Sequence, residues 1–422
     1  MKNWFLRKGL VYRNDQLISE DVLIIDGIIV AFGEQAQALR DKFQGFVTDY
    51  DAEGLIISRG FIDLHVHLRE PGGESKETIA TGTKAAAAGG FTSVYAMPNT
   101  TPTLDNPEII AAFTRRCNET AMVNVHPIAA LTRGRLGQEL VDYATLRKNG
   151  IRLFSDDGDP LSKAKVLQSM KAIANVNAVL VNHLEDKSLV GSGLFYQDIP
   201  AESEYQMLER DLQIVAETGC SYHAAHLSCA ESVELIAQAK AQGLPVSAEV
   251  TPHHLVLTHE DIQEPLGHYQ MKPPLRSRYD RDALVSGLRD GIIDVIATDH
   301  APHGFEKENG VKAGSPFGVT GLETAFSVVY THLVQTNKLS FLRMLECLTH
   351  GPAIISGEFP QLSVGSEADI VVLDLTVERQ VSQDGFFSKG TNSPFVGQTF
   401  AGWPVLTLVC GTEKFAPTLN CT

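Results

Sequence analysis

Residues 60–73 read Gly-Phe-Ile-Asp-Leu-His-Val-His-Leu-Arg-Glu-Pro-Gly-Gly, and the apolar run at their start predicts a β-strand over Phe61–His67. Alternate side chains of a strand point to the same face, so His65 and His67 point the same way, with Arg69 just beyond them. Two histidines on one face could bind one metal ion. An isolated His-x-His is better explained by hydrogen-bonded core histidines, so the rest of the chain must decide.

The middle of the chain, residues 59–360, alternates apolar strands with helical segments. The predicted strands are Phe61–His67, Thr92–Met97, Val123–Ile128, Arg152–Ser155, Ala178–His183, Tyr222–His226, Val246–Val250 and Asp294–Thr298. The predicted helices between them are Ser75–Ala88, Lys163–Ala174, Glu204–Glu217, Ser232–Ala241 and Asp280–Arg289. This order predicts an α/β fold with a parallel sheet, and eight units fit a closed (β/α)8 TIM-like barrel. A doubly wound open sheet is the alternative.

The two ends of the chain, residues 1–58 and 361–422, have a different sequence pattern from the middle. Both hold short β-branched runs separated by turn signals, and Asp26-Gly27 between two apolar runs predicts a two-residue hairpin. Neither end is long enough to bury much core alone. We therefore predict that residues 1–58 and 361–422 form one small composite β domain beside the barrel of residues 59–360.

Composition and charge restrict the possible partners. The 422 residues carry a net charge of −16, whereas nucleic acids and anionic membranes require a basic surface. No apolar run approaches the roughly 20 residues that span a bilayer, and Met1–Asp15 lacks the apolar core of a signal peptide. The six cysteines contain no Cys-x-x-Cys pair. These features predict a soluble, cytoplasmic protein that binds neither nucleic acid nor membrane.

Polar side chains follow several of the other predicted strands. Asp156 and Asp157 end the fourth strand, His183 the fifth, His226 the sixth, and Asp299 the eighth. In a barrel these strand ends meet at one rim, where barrel enzymes place their active sites. Histidine and carboxylate are ligands suited to zinc or a similar ion. The joint pattern therefore predicts a metal site.

The chain resembles the amidohydrolase superfamily and, within it, the bacterial type I dihydroorotases. The motifs that carry the resemblance are Gly60–Gly73, Met97-Pro-Asn-Thr100, Asp156-Asp-Gly158, Glu249-Val-Thr-Pro-His-His254, Pro273-Pro-Leu-Arg276, Ala297-Thr-Asp-His-Ala-Pro-His303 and Pro316-Phe-Gly318. The resemblance implies a zinc enzyme that interconverts (S)-dihydroorotate and N-carbamoyl-L-aspartate in de novo pyrimidine (UMP) synthesis.

The resemblance also implies a set of metal ligands. His65 and His67 would bind a first ion with Asp299, and His183 and His226 a second. Asp157 would bridge the two, a task that many relatives give to a carboxylated lysine, and the predicted fourth strand contains no lysine. Asp156 is the alternative bridge. One or two Zn2+ ions per subunit are implied, with two expected.

Further residues are assigned to the substrate by the same resemblance. The non-reacting carboxylate would be held by Arg69, Asn99 and His303, and backbone groups of Pro316, Phe317 and Gly318 would contact the ring. Lys272 departs from the family pattern, because many relatives have a ring-binding asparagine there. Residues 303–317 are predicted to form a polar loop over the site.

The same resemblance assigns the catalytic role to Asp299. This carboxylate would take a proton from the attacking water and deliver it to the departing amide nitrogen, acting first as base and then as acid. In the biosynthetic direction the same steps run in reverse.

Two other functions remain open from the sequence. The first is another cyclic amidohydrolase, such as a dihydropyrimidinase, hydantoinase or allantoinase, although these typically carry the bridging lysine. The second is a non-catalytic scaffold of the amidohydrolase fold, although such relatives usually lack some ligands. A homodimer that associates with aspartate transcarbamoylase is a further expectation.

Overall fold

Strands from three parts of the chain build the framework of the computed structural model, which describes residues 3–191, 193–304, 316–358 and 361–417. The strands are β1 (Trp4–Arg13), β2 (Gln16–Ile25), β3 (Ile28–Phe32), β4 (Thr48–Asp51), β5 (Ile56–Arg59), β6 (Phe61–Val66), β7 (Phe91–Ala96), β8 (Asn124–Pro127), β9 (Leu153–Phe154), β10 (Val179–Asn182), β11 (Ser221–Ala224), β12 (Val246–Val250), β13 (Val295–Ile296), β14 (Ile370–Gln380), β15 (Thr399–Val409) and β16 (Thr412–Phe415).

Both ends of the chain contribute to one mixed sheet. Its order is β16-β15-β14-β5-β1-β2-β3, with β4 paired to β1. The predicted hairpin is present, because β2 and β3 pair antiparallel across Asp26 and Gly27, whose φ values of 51° and 80° suit a tight hairpin turn. The ends meet where β14 pairs antiparallel with β5. Buried apolar residues of both segments, including Trp4, Ile57 and Leu408, form a shared core.

All eight strands predicted in the middle of the chain are present and parallel. They form a three-stranded sheet, β6-β7-β8, and a five-stranded sheet, β9 to β13 in chain order. Two parallel bridges connect the sheets at their edges, one between Val66 and His300 and one between Ala129 and Phe154. The carboxyl ends of these strands therefore lie on one side of the molecule, where the polar side chains predicted from the sequence follow them.

Twelve α-helices are described, most of them between the parallel strands. They are α1 (Gly33–Lys42), α2 (Ile79–Ala88), α3 (Pro107–Thr120), α4 (Tyr143–Lys148), α5 (Lys163–Asn175), α6 (Glu202–Thr218), α7 (Ala230–Ala241), α8 (Pro252–Val256), α9 (Arg278–Arg289), α10 (Ala325–Val329), α11 (Phe341–Leu348) and α12 (His350–Ser356). Within the described ranges, no helix is long and apolar enough to cross a bilayer.

The helix starts follow their capping residues. The prediction that began a helix at Ser75 was four residues early, because the Thr78 side chain accepts a hydrogen bond from the Thr81 amide and so begins α2 at Ile79. Ser162 caps α5 in the same way, and Ser277 begins α9 with a capping box to Asp280.

The connection between β14 and β15 leaves the mixed sheet and crosses to the parallel strands. Two acidic side chains hold it there. Glu323 accepts hydrogen bonds from the amides of Phe387 (3.0 Å) and Ser388 (3.1 Å), and Glu77 accepts one from the Ser388 hydroxyl. The carboxyl-terminal segment thus reaches the rim of the parallel strands.

We expect Glu323 to make the stability of the protein depend on pH. Burial raises its pKa to about 7, from 4.5, so between these values the folded chain keeps a proton that the unfolded chain releases. Stability should therefore fall as pH rises through this window. Since Glu323 is partly exposed, we expect the fall to be about 1–3 kcal/mol.

Urea denaturation of the wild type and of Glu323→Gln at pH 5 and pH 8 measures this contribution. The amide keeps the acceptor for Phe387 and Ser388 but does not titrate, so the variant should lose less stability on going to pH 8. Equal losses in the two proteins would assign the pH dependence to other groups.

Candidate metal and substrate site

A cavity of about 220 Å³ opens at the carboxyl ends of the parallel strands. Most of the predicted site residues line it. They are His67, Arg69, Asn99, Asp157, His183, His226, Lys272, Asp299, Phe317 and Gly318. His65 lies fully buried near the end of β6, and the centre of its ring is 5.4 Å from that of His67. The residues that the sequence placed on separate strand ends thus come together at one place.

His65, His67 and Asp299 form the first group of potential ligands. Oδ1 of Asp299 lies 3.1 Å from Nε2 of His67 and 3.5 Å from Nε2 of His65. The two histidines come from β6 and the residue after it, whereas Asp299 follows β13. The parallel bridge between Val66 and His300 holds these neighbouring segments in register.

Asp157 lies between the first group and a second pair of histidines. Its Oδ1 is 3.5 Å from Nε2 of His65, 3.6 Å from Nδ1 of His183 and 4.0 Å from Nε2 of His226. Its Oδ2 is 3.6 Å from Nε2 of His67. His183 and His226 approach each other to 2.9 Å between ring nitrogens. This carboxylate is the one placed to touch both groups.

Asp156, the alternative bridge, faces the other way. Its carboxylate accepts hydrogen bonds from the amides of Leu131 (2.7 Å) and Thr132 (3.2 Å) and from the Thr132 hydroxyl. Because its oxygens are engaged in holding the turn after β8, Asp156 ties two neighbouring strand ends together instead of pointing into the cavity.

Buried polar atoms without hydrogen-bond partners mark the centre of the site. Nε2 of His65 and Oδ1 of Asp157 lie 3.5 Å apart, and neither has a hydrogen-bond partner among the described residues. An unpaired buried polar atom is costly, and two such atoms beside each other indicate a ligand that satisfies them. Imidazole nitrogens with carboxylate oxygens are a donor set that fits a divalent ion such as zinc.

The electrostatics of the site favour a positive charge at this point. Burial alone lowers the pKa of His65, but the carboxylates of Glu249, Asp299 and Asp157 outweigh burial and raise it well above its usual value. Burial likewise raises the pKa of Asp157 and Asp299, yet the surrounding histidines hold both pKa values below the ordinary range. Both carboxylates are therefore ionised at neutral pH.

Glu249, in β12, orients His65 and was given no role from the sequence. Its Oε1 lies 2.7 Å from Nδ1 of His65, which donates to it, and its Oε2 accepts from Nε2 of His223 at 3.0 Å. Because Nδ1 of His65 donates to Glu249, Nε2 is the nitrogen that faces the cavity, and its lone pair becomes available for a ligand when the ring gives up its second proton. The signals in the sequence were its place at the start of the motif Glu249–His254 and its charge within an apolar strand, and neither pointed to His65.

Two further contacts fix the first strand. Asp63 accepts hydrogen bonds from the amides of His65 (3.0 Å) and Thr298 (3.1 Å), which ties β6 to β13, and burial raises the pKa of Asp63 to about 7. Asn99 accepts from Nδ1 of His67 at 3.0 Å, which directs Nε2 of His67 to Asp299. Asn99 thus contacts a potential metal ligand as well as the cavity.

The backbone is strained at the rim. Arg69, His226 and Asp299 have φ values of 61°, 30° and 46°, a region that residues other than glycine rarely adopt. Strained backbone of this kind clusters at functional sites, where the surrounding structure enforces it. Here each of the three residues follows a parallel strand and turns its side chain toward the cavity.

Arg69 and Phe317 line the cavity, and His303, which does not line it, contacts both of them. Nη2 of Arg69 lies 3.2 Å from Nε2 of His303, and that nitrogen donates to the Phe317 carbonyl at 2.7 Å. Lys76 donates to Nδ1 of the same ring at 3.2 Å. Pro316 is half-buried and precedes Phe317 without lining the cavity. The predicted polar loop over the site lies mostly outside the described residues.

Lys272 stands on another side of the cavity with two partners. Its Nζ lies 3.0 Å from both carboxylate oxygens of Glu185 and 4.6 Å from the centre of the Phe317 ring. Glu185 is buried and was not singled out from the sequence. The lysine that departs from the family pattern is therefore held in place by a dedicated carboxylate.

Comparison with solved structures identifies the class of protein. L-hydantoinase (dihydropyrimidinase) from Arthrobacter aurescens superposes with a TM-score of 0.89 at 27% identity, covering 98% of this chain and 96% of the other. Dihydropyrimidinase from Brevibacillus agri gives 0.87 at 24% identity, covering 97% and 94%. With the histidine–aspartate site, these likenesses define a hydrolase of cyclic amides.

Comparison with curated sequences narrows the class to a family. Residues 54–232 match the family model described as Dihydro-orotase-like. A dihydroorotase from Geobacillus sp. (strain WCH70) is 46% identical over 420 residues, covering 96% of this chain and 97% of the relative. A dihydroorotase from Listeria monocytogenes is 43% identical, covering 97% and 98%. The chain belongs to the dihydroorotase family.

Replacing each of the two neighbouring aspartates should separate metal binding from folding. Asp157→Ala removes the carboxylate between the histidine groups, so we expect the purified variant to hold fewer divalent ions per chain, as measured by elemental analysis. Asp156→Ala is the matched control, and it should keep the ions but lose about 1–3 kcal/mol of stability, because it leaves buried amides unpaired. A full complement of ions in Asp157→Ala would contradict the assignment.

Proposed function

We propose that the protein catalyses the reversible hydrolysis of (S)-dihydroorotate to N-carbamoyl-L-aspartate in de novo pyrimidine (UMP) synthesis. The observation that carries this proposal is the near full-length similarity to proteins named dihydroorotase, at 43–46% identity. Two groups of histidines and aspartates that could hold a metal ion, His65 with Asp157 and His226 and His65 with His67 and Asp299, support it. The substrate is thus a small anionic molecule with one reacting amide.

We further propose that the eight parallel strands close into a (β/α)8 barrel over residues 59–360. The bridges at both edges of the two parallel sheets support closure, since they connect β8 with β9 and β13 with β6. Residues 1–58 and 361–422 then form the small β domain, which agrees with their shared mixed sheet.

His65, His67 and Asp299 would hold one Zn2+ ion, and His183 and His226 a second, with Asp157 touching both. The unpaired atoms at Nε2 of His65 and Oδ1 of Asp157 support this arrangement. When bound, such ions supply Lewis-acid chemistry, because they polarise a carbonyl and make water easier to deprotonate. Glu249 and Asn99 keep the ligand nitrogens of His65 and His67 directed to the cavity.

Asp299 is the catalytic residue in this proposal. Its lowered pKa keeps it ionised, so it can accept a proton from the attacking water. Oδ1 already faces His65 and His67, which leaves Oδ2 for that proton. The same oxygen then donates the proton to the departing amide nitrogen, and the order reverses when N-carbamoyl-L-aspartate is cyclised.

The non-reacting carboxylate of the substrate would be held by Arg69, Asn99 and His303. Arginine offers a planar pair of donors that matches a carboxylate. Phe317 and Gly318 would contact the ring through backbone groups. Gly318 cannot be replaced easily, since its φ is +130° and a Cβ there would lie 2.5 Å from Cβ of Ala301.

The alternative functions are less well supported. Hydantoinases and dihydropyrimidinases share the fold, but β9 and the residues after it offer Asp157, and no lysine, as the bridge. In addition, a substrate without a carboxylate would leave Arg69 with no substrate group to bind. A non-catalytic scaffold does not explain why Nε2 of His65 and Oδ1 of Asp157 are buried 3.5 Å apart without hydrogen-bond partners. An assay of dihydroorotate turnover distinguishes both alternatives from dihydroorotase activity.

Assembly and location complete the proposal. The family resemblance supports a homodimer that associates with aspartate transcarbamoylase. Sedimentation of the protein alone measures its oligomeric state, and sedimentation together with aspartate transcarbamoylase measures the association. A cytoplasmic location agrees with the thinly spread cysteines, of which the five that the structure describes are free thiols.

Turnover of dihydroorotate tests the function directly. The purified protein should interconvert dihydroorotate and N-carbamoyl-L-aspartate and should lose this activity when chelated. It should turn over dihydrouracil and hydantoin far more slowly, because neither offers a carboxylate to Arg69. Turnover of these compounds with none of dihydroorotate would favour the hydantoinase alternative, and no turnover of any would favour the scaffold.

Replacing Lys272 should weaken substrate binding. Lys272→Ala removes a positive charge from the cavity and leaves the buried carboxylate of Glu185 unpaired and facing an anionic substrate. We expect KM for dihydroorotate to rise about 10-fold or more, with a smaller change in kcat. Steady-state kinetics at saturating metal measure this effect.

Lys187→Ala is the matched control for Lys272. Lys187 also lines the cavity, but its side chain is 54% exposed and pairs with the partly exposed Asp159. Its removal should change KM less than about 2-fold, because exposed ion pairs contribute little. Equal effects of the two substitutions would reduce the role of Lys272 to general electrostatic attraction.

A further inference from the structure

Asn392 lies where the carboxyl-terminal segment meets the rim of the cavity. It belongs to the connection between β14 and β15, and only 1% of it is exposed. Its side-chain oxygen accepts a hydrogen bond from the amide of His303 at 3.0 Å, and its side-chain nitrogen donates to the carbonyl of Gly318 at 2.9 Å. Its own carbonyl accepts from the amide of Thr320 at 3.1 Å. One residue thus bonds to two separate chain segments.

The two segments carry proposed substrate contacts. One segment is residues 301–303, of which Ala301 lines the cavity, and the other is residues 317–320, of which Phe317 and Gly318 line it. They touch each other through the amide of Ala301, which donates to Val319 at 2.8 Å, and through His303, which donates to Phe317. The Asn392 carboxamide adds a third connection between the same segments, because it bonds directly to His303 and Gly318.

The segment that carries Asn392 is itself held in place. Ser388 is bound by Glu77 and Glu323, as described above. Gly390 lies so close to Pro302 that a Cβ at Gly390 would be 2.6 Å from Cβ of Pro302. This close approach presses the segment against residues 301–303. The backbone that carries Asn392 is therefore held in place by contacts at Ser388 and with residues 301–303.

We propose that Asn392 is a positioning residue for substrate binding, which sets the distance between His303 and the Phe317–Gly318 backbone. This inference rests on the proposed function, because it takes these groups to hold the substrate. Asparagine suits the place because it presents an acceptor to one segment and a donor to the other. Aspartate has nearly the same shape, but it would turn an acceptor toward the carbonyls of Gly318 and Ala301, which lie 2.9 Å and 3.5 Å from the amide nitrogen.

The position of Asn392 predicts a specific kinetic signature. The residues that it contacts are proposed to hold parts of the substrate that do not react, whereas Asp299 and the histidines of the metal site keep their own hydrogen bonds. Loss of Asn392 should therefore weaken substrate binding more than the chemical step. A rise in KM with nearly unchanged kcat is the mark of lost uniform binding.

Kinetics of Asn392→Ala and Asn392→Asp test the proposal. Both should raise KM for dihydroorotate about 10-fold or more, with kcat within about 3-fold of the wild type and unchanged metal content. In a His303→Ala background, adding Asn392→Ala should raise KM by a clearly smaller factor, because part of its effect passes through His303. Unchanged KM, or a loss confined to kcat, would overturn the proposal, as would full additivity with His303→Ala.

Asn124→Ala is the matched control. Asn124 also connects a parallel strand to the carboxyl-terminal part of the chain, since its side chain donates to Asp369 at 2.8 Å, but it begins β8 at the strand end opposite the cavity. Its loss should lower stability without changing KM or kcat. A similar rise in KM in Asn124→Ala would mean that Asn392 acts only through general stability, and would overturn the proposal.

Hydrogen–deuterium exchange gives a readout that does not depend on the substrate. In Asn392→Asp without substrate, amides of residues 301–304 and 316–320 should exchange faster than in the wild type, whereas those of β10 to β12 should not. If the wild type fails to turn over dihydroorotate while exchange changes as expected, the proposed function fails but the connection through Asn392 stands. Unchanged exchange at both segments would overturn it.

Discussion

The contact between Glu249 and His65 is the interaction on which the rest of the site depends. Both side chains are fully buried, and the carboxylate lies 2.7 Å from the ring. A buried carboxylate without a partner would cost several kcal/mol. By accepting a hydrogen bond from Nδ1 of His65, Glu249 turns Nε2 toward the cavity. Asp157 and Asp299 then add negative charge around the same nitrogen, and the whole arrangement is balanced only when a positive charge occupies its centre.

Much of the fold and of the site could be predicted from the sequence, because the determining patterns are local. The alternation of strands and helices located all eight parallel strands, and residues that end parallel strands meet at one edge. This is why His65, His183, His226 and Asp299 could be brought together in advance. The resemblance favoured Asp157 over Asp156 as the bridge, but the direction in which each carboxylate points needed the structure. The two point in opposite directions, and β9 is too short for its pattern to show which side faces the cavity.

Contacts over long sequence distances could not be predicted. Glu249 lies 184 residues from His65, and although it begins a motif of the family resemblance, nothing in that motif points to His65 as its partner. Asn392 lies 89 residues beyond His303 in a turn-rich stretch that marks a loop and nothing more. Both residues are recognised only from their contacts in the folded chain. Glu249 is a buried charge that faces a histidine, and Asn392 is a buried amide between two chain segments.

The use of a neutral amide at the rim follows from the charge balance of the site. The chain carries a net charge of −16, so an anionic substrate is attracted only by local groups such as Arg69 and Lys272. Lys272 is already paired with Glu185, and Arg69 lies within the field of Asp157 and Asp299. A further charged residue beside His303 would disturb this balance. A carboxamide can join the carboxyl-terminal segment to the substrate-binding segments without adding charge, and Asn392 has that chemistry.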